Sequence, residues 1–330
     1  ARMMGGDARL IGTASDKVIS EVEFDSRQIH DGAATLFVAI KGENRDGHAF
    51  LRQGFDKGVR HFLVSDSAQL PEGSAAILVQ DTVAALQALA AAHRRRFDYP
   101  VIAITGSNGK TTVKEWLVTL LGDHFQVVKS PQSYNSQIGV ALSLLQMNAD
   151  HNLAIIEAGI SQVGEMAKLQ QMIRPEIGIL THFGDAHAEG FVHPREKLLE
   201  KLQLFTHTQA ILADATDELV LGELQAFVNQ HPQELQTVGY ASNRSHWLTE
   251  VQTEAASIRA EFSTPRGEFP LEIPLPGEAA LCNAALAVTT CLQLGLTFED
   301  IRPRLQLLRP VSMRMEMITD NPEITIINDA

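Results

Sequence analysis

The feature that most constrains the fold is a run from an apolar strand through a glycine-containing turn into a helix, at residues 101–121. Its turn reads Thr-Gly-Ser-Asn-Gly-Lys-Thr-Thr over Thr105–Thr112. Strand, glycine-rich loop and helix N-terminus in this order are typical of a phosphate-binding loop. The general pattern has glycine five positions before Gly109, where Ile104 stands, so this loop is a shorter form. We therefore predict a nucleotide site here, rather than an ordinary turn with a surface lysine.

The residues of this loop have separate expected tasks. Glycines let backbone N–H groups approach the phosphates closely, and Lys110 can reach the β- and γ-phosphates. The hydroxyl of Thr111 can ligate Mg²⁺. The residues assigned to the nucleotide are Gly106, Ser107, Asn108, Gly109, Lys110, Thr111 and Thr112.

Composition narrows the class of protein. A length of 330 residues predicts two or three domains, and a net charge of −13 argues against nucleic acid or a membrane surface as the main partner. Cys282 and Cys291 are nine apart in what looks like one helix, a spacing that favours neither a disulfide framework nor a metal site. The sequence has no signal peptide and no apolar run of membrane length, so we expect a cytoplasmic protein.

The order of elements predicts an α/β protein. Residues 1–98 read as a small α/β domain, and Asp98-Tyr99-Pro100 is a plausible boundary because proline stops a helix there. Residues 99–312 alternate strands and helices, which predicts a doubly wound, mainly parallel sheet.

Polar residues follow the predicted strands of this central region. Ligands bind at the carboxyl edge of open α/β sheets, so four strand ends can converge on one site. The four strands are expected at 126–128, 153–156, 177–180 and 210–213.

Glu157, directly after one of these strands, offers a hard oxygen ligand for Mg²⁺, although a carboxylate at a helix N-terminus is the alternative. Spacing alone cannot choose a metal ligand among His182, His187 and His193. In the amphipathic helix that follows, Lys197 and Lys201 are spaced i,i+4 and read as solvated lysines.

These motifs, in this order, resemble those of the Mur ligase family, the ATP-dependent ligases of bacterial cell-wall synthesis. The similarity extends over nearly the whole chain. Ser136 replaces the second Asn of an Asn-Asn-x-x-Gly element, and His182 replaces the Asn of a Thr-Asn-x-Gly-x-x-His segment. The matching segments are Thr105–Thr112, Asn135–Gly139, Glu157–Gly159, Ser161–Met166 and Thr181–Phe191.

The resemblance assigns further roles. It selects His187 as a metal ligand, and it implies that Lys201 is a carbamylated lysine that helps to hold a second Mg²⁺, with Lys197 as runner-up. The usual Lys-x-Glu reads Lys201-Leu202-Gln203. Asn283 corresponds to the asparagine that approaches adenine, although Ala279 and Ala280 replace two residues of that motif. The implied catalytic residues are Lys110, His187 and Lys201, and the implied metal ligands are Thr111, Glu157, His187 and Lys201.

The resemblance also implies the substrates. Asp25-Ser26-Arg27 and Asp46-Gly47-His48 resemble the UDP-sugar-binding elements of two branches of the family. One of these branches adds D-Ala-D-Ala. It uses ATP to form an acyl phosphate on UDP-MurNAc-tripeptide, and the amine of D-Ala-D-Ala then attacks this acyl phosphate. The residues assigned to substrate are Ser26, Arg27, Asp46, Gly47, His48, Asn135 and Ser161.

Two alternatives stay open at this point. The neighbouring branch adds diaminopimelate or lysine and shares the Asp-Ser-Arg element. A nucleotide-dependent binding or regulatory protein that lost ligase chemistry is the second alternative, because of the substitutions at Ser136, Gln203, Ala279 and Ala280.

The C-terminal residues 313–330 are expected to be the stub of a third domain. Residues 324–327 read as a strand with no remaining sequence to pair with, so we expect a fragment that does not ligate alone. A weak similarity to forms of these ligases that are fused to an alanine racemase suggests that an alanine racemase is a C-terminal partner.

Overall fold

The computed structural model describes residues 8–12, 18–42, 44–184, 191, 193–311, 316–321 and 324–328. Its residues group by their contacts into two compact units. The first unit comprises Ala1–Phe97 and Gln137–Gln146, and the second comprises Asp98–Ser136 and Met147–Ala330. The break after Phe97 falls at the predicted boundary, whereas the grouping of 137–146 with the first unit was not foreseen. The three domain limits themselves stay a prediction.

The first unit holds a five-stranded sheet in the order β1-β5-β4-β3-β2, parallel except for β1. Phe37 and Phe62 pack edge to face in its core, and the side chain of Asp81 caps the second helix as its sequence position predicts. The elements are β1 (Arg9–Ile11), β2 (Glu21–Glu23), β3 (Thr35–Val38), α1 (Leu51–Asp56), β4 (His61–Val64), β5 (Ala75–Leu78) and α2 (Thr82–Arg94).

The second unit begins with the predicted central strand and continues through alternating strands and helices. Helix α4 lies within this stretch of sequence but belongs to the first unit. The elements are β6 (Val101–Thr105), α3 (Lys110–Leu121), β7 (Val127–Lys129), α4 (Gln137–Leu145), β8 (Leu153–Glu157), α5 (Glu165–Ile173), β9 (Ile177–Leu180), α6 (Pro194–Leu202), β10 (Ala210–Asp214), α7 (Glu218–Gln230), β11 (Glu234–Gly239), β12 (His246–Thr253), β13 (Ile258–Thr264), β14 (Gly267–Ile273), α8 (Glu278–Gln293) and α9 (Phe298–Leu305).

Strands β6 to β14 of this unit form one nine-stranded sheet in the order β14-β13-β12-β11-β10-β9-β6-β8-β7. All neighbouring pairs from β7 to β12 in this order are parallel, and the β12–β13 and β13–β14 pairs are antiparallel. The predicted α/β class with a doubly wound, mainly parallel sheet is therefore confirmed. The β12–β14 extension is an addition that the sequence pattern did not indicate.

Buried apolar side chains fix the sheet where the site forms. Every residue of β6 and of β8 is buried, and α3 and α8 pack together over the same core. Strands β6, β8, β9 and β10 are adjacent and parallel, so their carboxyl ends open at one edge.

The last described residues form a separate two-stranded sheet of β15 (Glu316–Asn321) and β16 (Ile324–Asn328). The predicted strand at 324–327 is present, but it pairs antiparallel with β15, a partner that the sequence reading did not foresee. No helix within the described ranges is long and apolar enough to cross a membrane.

Candidate functional site

The phosphate loop closes tightly because two glycines adopt backbone angles that other residues avoid. Gly106 has φ +149° and Gly109 has φ +87°. A Cβ atom on Gly106 would clash with the side chain of Thr181, and one on Gly109 would lie 2.6 Å from Oδ1 of Asn283. The structure thus brings Asn283, the residue expected at adenine, beside the loop.

The chain that follows β9 supports this loop from one side. The carbonyl oxygen of His182 accepts hydrogen bonds from the N–H groups of Ser107 and Asn108, at 2.9 and 3.2 Å. The hydroxyl of Thr181 donates to the carbonyl oxygen of Asn108 at 2.6 Å, and that of Ser107 donates to Gly184 at 3.1 Å. The loop therefore depends on the neighbouring strand end for its shape.

Two ammonium groups converge on the beginning of the loop. Nζ of Lys110 donates to the carbonyl oxygens of Gly106 and Ser107, each at 3.0 Å. Nζ of Lys201, from α6, donates to the same Gly106 oxygen at 2.9 Å. The interpretation of Lys201 as a solvated helix lysine, which its spacing alone gives, is therefore wrong, because its side chain is buried against the loop. The catalytic and metal-binding role that the family resemblance implies for Lys201 stays a prediction.

Burial changes the acidity of Lys201. Desolvation, followed by repulsion from Lys110 and Lys197, lowers the pKa of the Lys201 ammonium from 10.5 to about 7. Burial also lowers the pKa of Lys197. An amine that loses its proton near neutral pH can act as a nucleophile, which a solvated lysine cannot.

Glu157, the last residue of β8, is completely buried and faces the first turn of α3. Its Oε2 accepts a hydrogen bond from the hydroxyl of Thr111 at 3.1 Å. Nζ of Lys114 lies 2.9 Å from its Oε1 as an ion pair, although no aligned hydrogen-bond donor reaches Oε1 among the described residues. Thr112 lies half-buried in the same turn of α3.

The donor set fits a magnesium ion. Mg²⁺ prefers hard oxygen ligands and usually keeps several waters beside one or two carboxylates and substrate phosphates. The hydroxyl of Thr111 and the carboxylate of Glu157 supply that chemistry next to the loop.

Asn135 and Ser161 lie on the loops that flank β8. The carbonyl oxygen of Asn135 accepts a hydrogen bond from the N–H of Gly159 at 2.8 Å, so Asn135 packs against the Glu157–Gly159 segment. Ser161 is exposed, and its N–H and hydroxyl donate to Oε2 of Glu165 at 2.6 and 3.1 Å. Glu165 thus supplies the local capping chemistry that the sequence suggests.

A second polar pair lies on the other side of the loop. Nδ1 of His182 is 3.6 Å from Oδ2 of the buried Asp214, whose Oδ1 accepts from Thr216. The Asp214 carboxylate raises the pKa of His182. Burial alone would raise the pKa of Asp214, but bonds from His182 and Thr216 hold it below its usual range.

In the first unit, Asp25 caps a short turn that presents Arg27. The guanidinium of Arg27 pairs with the Asp25 carboxylate at 2.7 Å while remaining exposed, and this pair lowers the pKa of Asp25. Ser26 is buried, and its hydroxyl donates to Oε1 of Gln53 at 2.8 Å.

His48 is a buried residue of the same unit. Its Nε2 accepts hydrogen bonds from the N–H groups of Ser65 and Asp66 at 3.0 and 3.2 Å, so the ring proton lies on Nδ1. That nitrogen donates to Oδ1 of Asp46 at 2.6 Å. Gly47 leaves no room for a Cβ beside the backbone of Ile40. Both ring nitrogens of His48 are therefore engaged within the protein.

The structure brings most predicted residues of the second unit together, but it does not locate all of them. His187 lies outside the described residues. Sequence reasoning overlooked Lys114 and Asp214. Asp214 is the first polar residue after a predicted strand, and Lys114 follows Lys110 by four positions on the buried face of α3, which were the available signals.

Comparison with known proteins identifies the family that this chain resembles. Residues 104–291 match the family described as the Mur ligase middle domain. The chain is 32% identical over 316 residues to the UDP-N-acetylmuramoyl-tripeptide–D-alanyl-D-alanine ligase of Bacillus subtilis, covering 95% of this chain and 67% of that relative.

Solved structures show the same similarity. MurF from Acinetobacter baumannii superposes with a TM-score of 0.87 at 27% identity, covering 96% of this chain and 69% of that one. MurF ligase from Thermotoga maritima in complex with ADP gives a TM-score of 0.81 at 25% identity, covering 96% and 72%. The chain thus spans about two thirds of the length of these relatives.

Proposed function

The chain belongs to the Mur ligase family, and on that basis we propose that it is an ATP-dependent ligase that adds D-alanyl-D-alanine to UDP-N-acetylmuramoyl-tripeptide. The observation that carries the proposal is the contact between the Thr111 hydroxyl and the Glu157 carboxylate, directly below a phosphate loop that also holds Lys110 and Lys201. This arrangement combines hard oxygen ligands with cationic groups, as phosphoryl transfer requires.

The loop residues would bind and orient the nucleotide. The ammonium of Lys110 would exchange its loop carbonyls for phosphate oxygens and stabilise negative charge on the transferring group. Thr111 and Glu157 would hold Mg²⁺, which supplies charge neutralisation on the phosphates when bound. Asn283, whose amide lies beside Gly109, would contact adenine, a role that rests on the family resemblance alone.

Lys201 would be carbamylated and would then contribute to holding a second Mg²⁺. Its neutral amine would attack CO₂ to form an N-carboxylate with release of one proton, which replaces a cation by an anionic oxygen ligand. The buried side chain and the pKa of about 7 support this reaction, because a largely unprotonated amine is needed. The proposed metal-binding role of His187 rests on the family resemblance alone.

The residues proposed for the acceptor rest on the family resemblance and are taken here unit by unit. Arg27 offers an exposed guanidinium that suits the diphosphate of a UDP-sugar, whereas His48 would shape the loop at Ser65 and Asp66. Asn135 and Ser161 would contact the peptide part. The terminal carboxylate would be activated as an acyl phosphate, and the incoming amine would displace phosphate through a tetrahedral intermediate.

Other expectations remain proposals. A branch that adds diaminopimelate or lysine is the alternative enzyme, and the similarity to UDP-N-acetylmuramoyl-tripeptide–D-alanyl-D-alanine ligases favours the first assignment. A cytoplasmic location, a third domain from residue 313 and a fused alanine racemase stay predictions.

The proposal is tested by phosphate release from ATP in the full-length protein, with UDP-MurNAc-tripeptide and one amine at a time. We expect release only when D-Ala-D-Ala is the amine. Release with diaminopimelate or lysine on the dipeptide substrate would instead support the neighbouring branch. Nucleotide binding with no release under any condition would support a regulatory protein.

A further inference from the structure

Lys114 is a buried cation to which the proposed chemistry assigns no task. It lies one helical turn after Lys110, and its side chain is 0% exposed. A lysine is almost never fully buried unless it is paired, so its partners should explain its place.

Four oxygen atoms surround its ammonium group. Nζ of Lys114 lies 2.9 Å from Oε1 of Glu157 and 3.2 Å from Oε1 of Glu115. It donates to the carbonyl oxygen of Ser130 at 2.8 Å and also to that of Gln132. These contacts come from a strand end, a helix and a turn, so the ammonium has a fixed position.

This fixed cation determines how Glu157 presents its two oxygens. Oε1 faces Lys114, and Oε2 faces the hydroxyl of Thr111. The N–H of Glu157 also donates to the Ser130 hydroxyl at 3.0 Å, which ties the backbone to the turn that Lys114 holds. A buried carboxylate without such a cation would be costly and would not be held in this orientation.

We propose that Lys114 is a positioning residue that holds the Glu157 carboxylate against Thr111 and so prepares the divalent-cation site for the nucleotide. The inference rests on the proposed function, because it takes Glu157 as a metal ligand. Lys114 itself does not touch nucleotide or metal. It affects metal affinity indirectly, as a residue that hydrogen-bonds or pairs with a metal ligand and orients it without touching the metal.

Lys129 provides a matched control. It lies on β7, is partly exposed and pairs with Glu115, and the part of the chain that the structure describes shows no hydrogen bond or ion pair between it and Glu157. Lys129→Met therefore removes a lysine from the same cluster without removing the cation that faces Glu157.

The test measures Mn²⁺ affinity by electron paramagnetic resonance in the presence of a non-hydrolysable ATP analogue, with analogue binding in the absence of metal measured in parallel. We expect Lys114→Met to weaken Mn²⁺ binding by roughly tenfold or more, as for outer partners of metal ligands. Metal-free binding of the analogue and the Mn²⁺ affinity of Lys129→Met should stay near wild type.

Glu157→Gln distinguishes failure of the proposed role of Lys114 from failure of the proposed metal site. If Glu157→Gln weakens Mn²⁺ binding and Lys114→Met does not, the inference about Lys114 is overturned while the metal site stands. If Glu157→Gln has no effect, the proposed metal site itself is wrong.

A double variant keeps the proposal testable if Lys114→Met does not fold. Lys114→Met/Glu157→Gln removes both charges, so no unpaired carboxylate is buried. The expected Mn²⁺ affinity equals that of Glu157→Gln alone, because Lys114 acts through the carboxylate. A further tenfold loss in the double variant would contradict the proposal.

Discussion

The ammonium of Lys201 lies 2.9 Å from the carbonyl oxygen of Gly106, so a buried lysine of α6 bonds directly to the phosphate loop. Carbamylation would leave one N–H on Nζ, which can still donate to Gly106, and would add an anionic carboxylate to that nitrogen. The carboxylate of a carbamylated Lys201 would therefore extend from an atom that is bonded to the loop.

Lys201→Ala should impair phosphoryl transfer far more than ATP binding. We expect kcat to fall by roughly 100-fold or more, since an electrostatic contributor at the reacting group is lost. Added short carboxylic acids should restore part of the activity by replacing the carbamate. Lys197→Ala is the control, and if it alone shows this behaviour, the assignment along α6 is wrong.

Carbamylation of Lys201 should increase with pH. The pKa of the buried amine is about 7, so the reactive unprotonated form is the minority below that pH and the majority above it. The measurement is the ¹³C NMR carbamate signal of protein equilibrated with ¹³CO₂ at several pH values. A signal that persists in Lys201→Ala, or that is absent at pH 8, would contradict the assignment.

Lys110→Ala should abolish nucleotide-dependent activity and leave the fold intact. The two lost hydrogen bonds to Gly106 and Ser107 should cost about 1–3 kcal/mol of unfolding free energy, less than the stability of a typical domain. Thermal unfolding and ATP turnover give the two readouts, with the exposed Lys168→Ala as control. Retained turnover in Lys110→Ala would rule out the phosphate-loop assignment.

Arg27→Ala should weaken binding of the UDP-linked peptide by roughly tenfold or more, the effect of losing one charge-assisted hydrogen bond. Its guanidinium is exposed and pairs only locally with Asp25, so the unfolding midpoint should not move. Isothermal calorimetry compares it with Arg52→Ala, which removes an exposed arginine paired with Asp56 in the same unit. Equal effects of the two variants would remove Arg27 from the substrate site.

His246 should make stability depend on pH. Burial, with repulsion from Arg266, lowers the pKa of His246 from 6.5 to about 4. Between these values the unfolded chain binds the proton and the folded chain does not, so stability is complete above pH 6.5 and falls toward pH 4. The contribution is at most about 3 kcal/mol.

The measurement is the unfolding midpoint at pH 7 and pH 5. His246→Gln should lose less stability than wild type over this interval, whereas the exposed His207→Gln should behave as wild type. An unchanged pH dependence in His246→Gln would show that the buried ring does not carry the effect.

The sequence predicted the secondary-structure elements whose residue pattern strongly favours a single local structure. Buried runs such as 177–180 can only be interior strands, and Gly109 before Lys110 fixes the loop at the start of α3. The β12–β14 extension was not predicted, because strands such as His246–Thr253 alternate imperfectly and contain a register shift.

Site residues were predicted where their role follows from residue type and from order along the sequence. They were overlooked where their role follows from burial. By spacing alone, Lys114 and Lys201 are both ordinary helical lysines. The family resemblance selected Lys201, whereas only packing distinguishes Lys114 from a solvated lysine. The engagement of His48 by Ser65 and Asp66 likewise requires contacts between segments 17 and 18 residues apart. No local pattern contains that information.

The most direct test of the central claim is amine-dependent phosphate release from ATP by the full-length protein with UDP-MurNAc-tripeptide. The account predicts release with D-Ala-D-Ala and its loss in both Lys110→Ala and Glu157→Gln. Release that is independent of the amine, or that survives both substitutions, would contradict it.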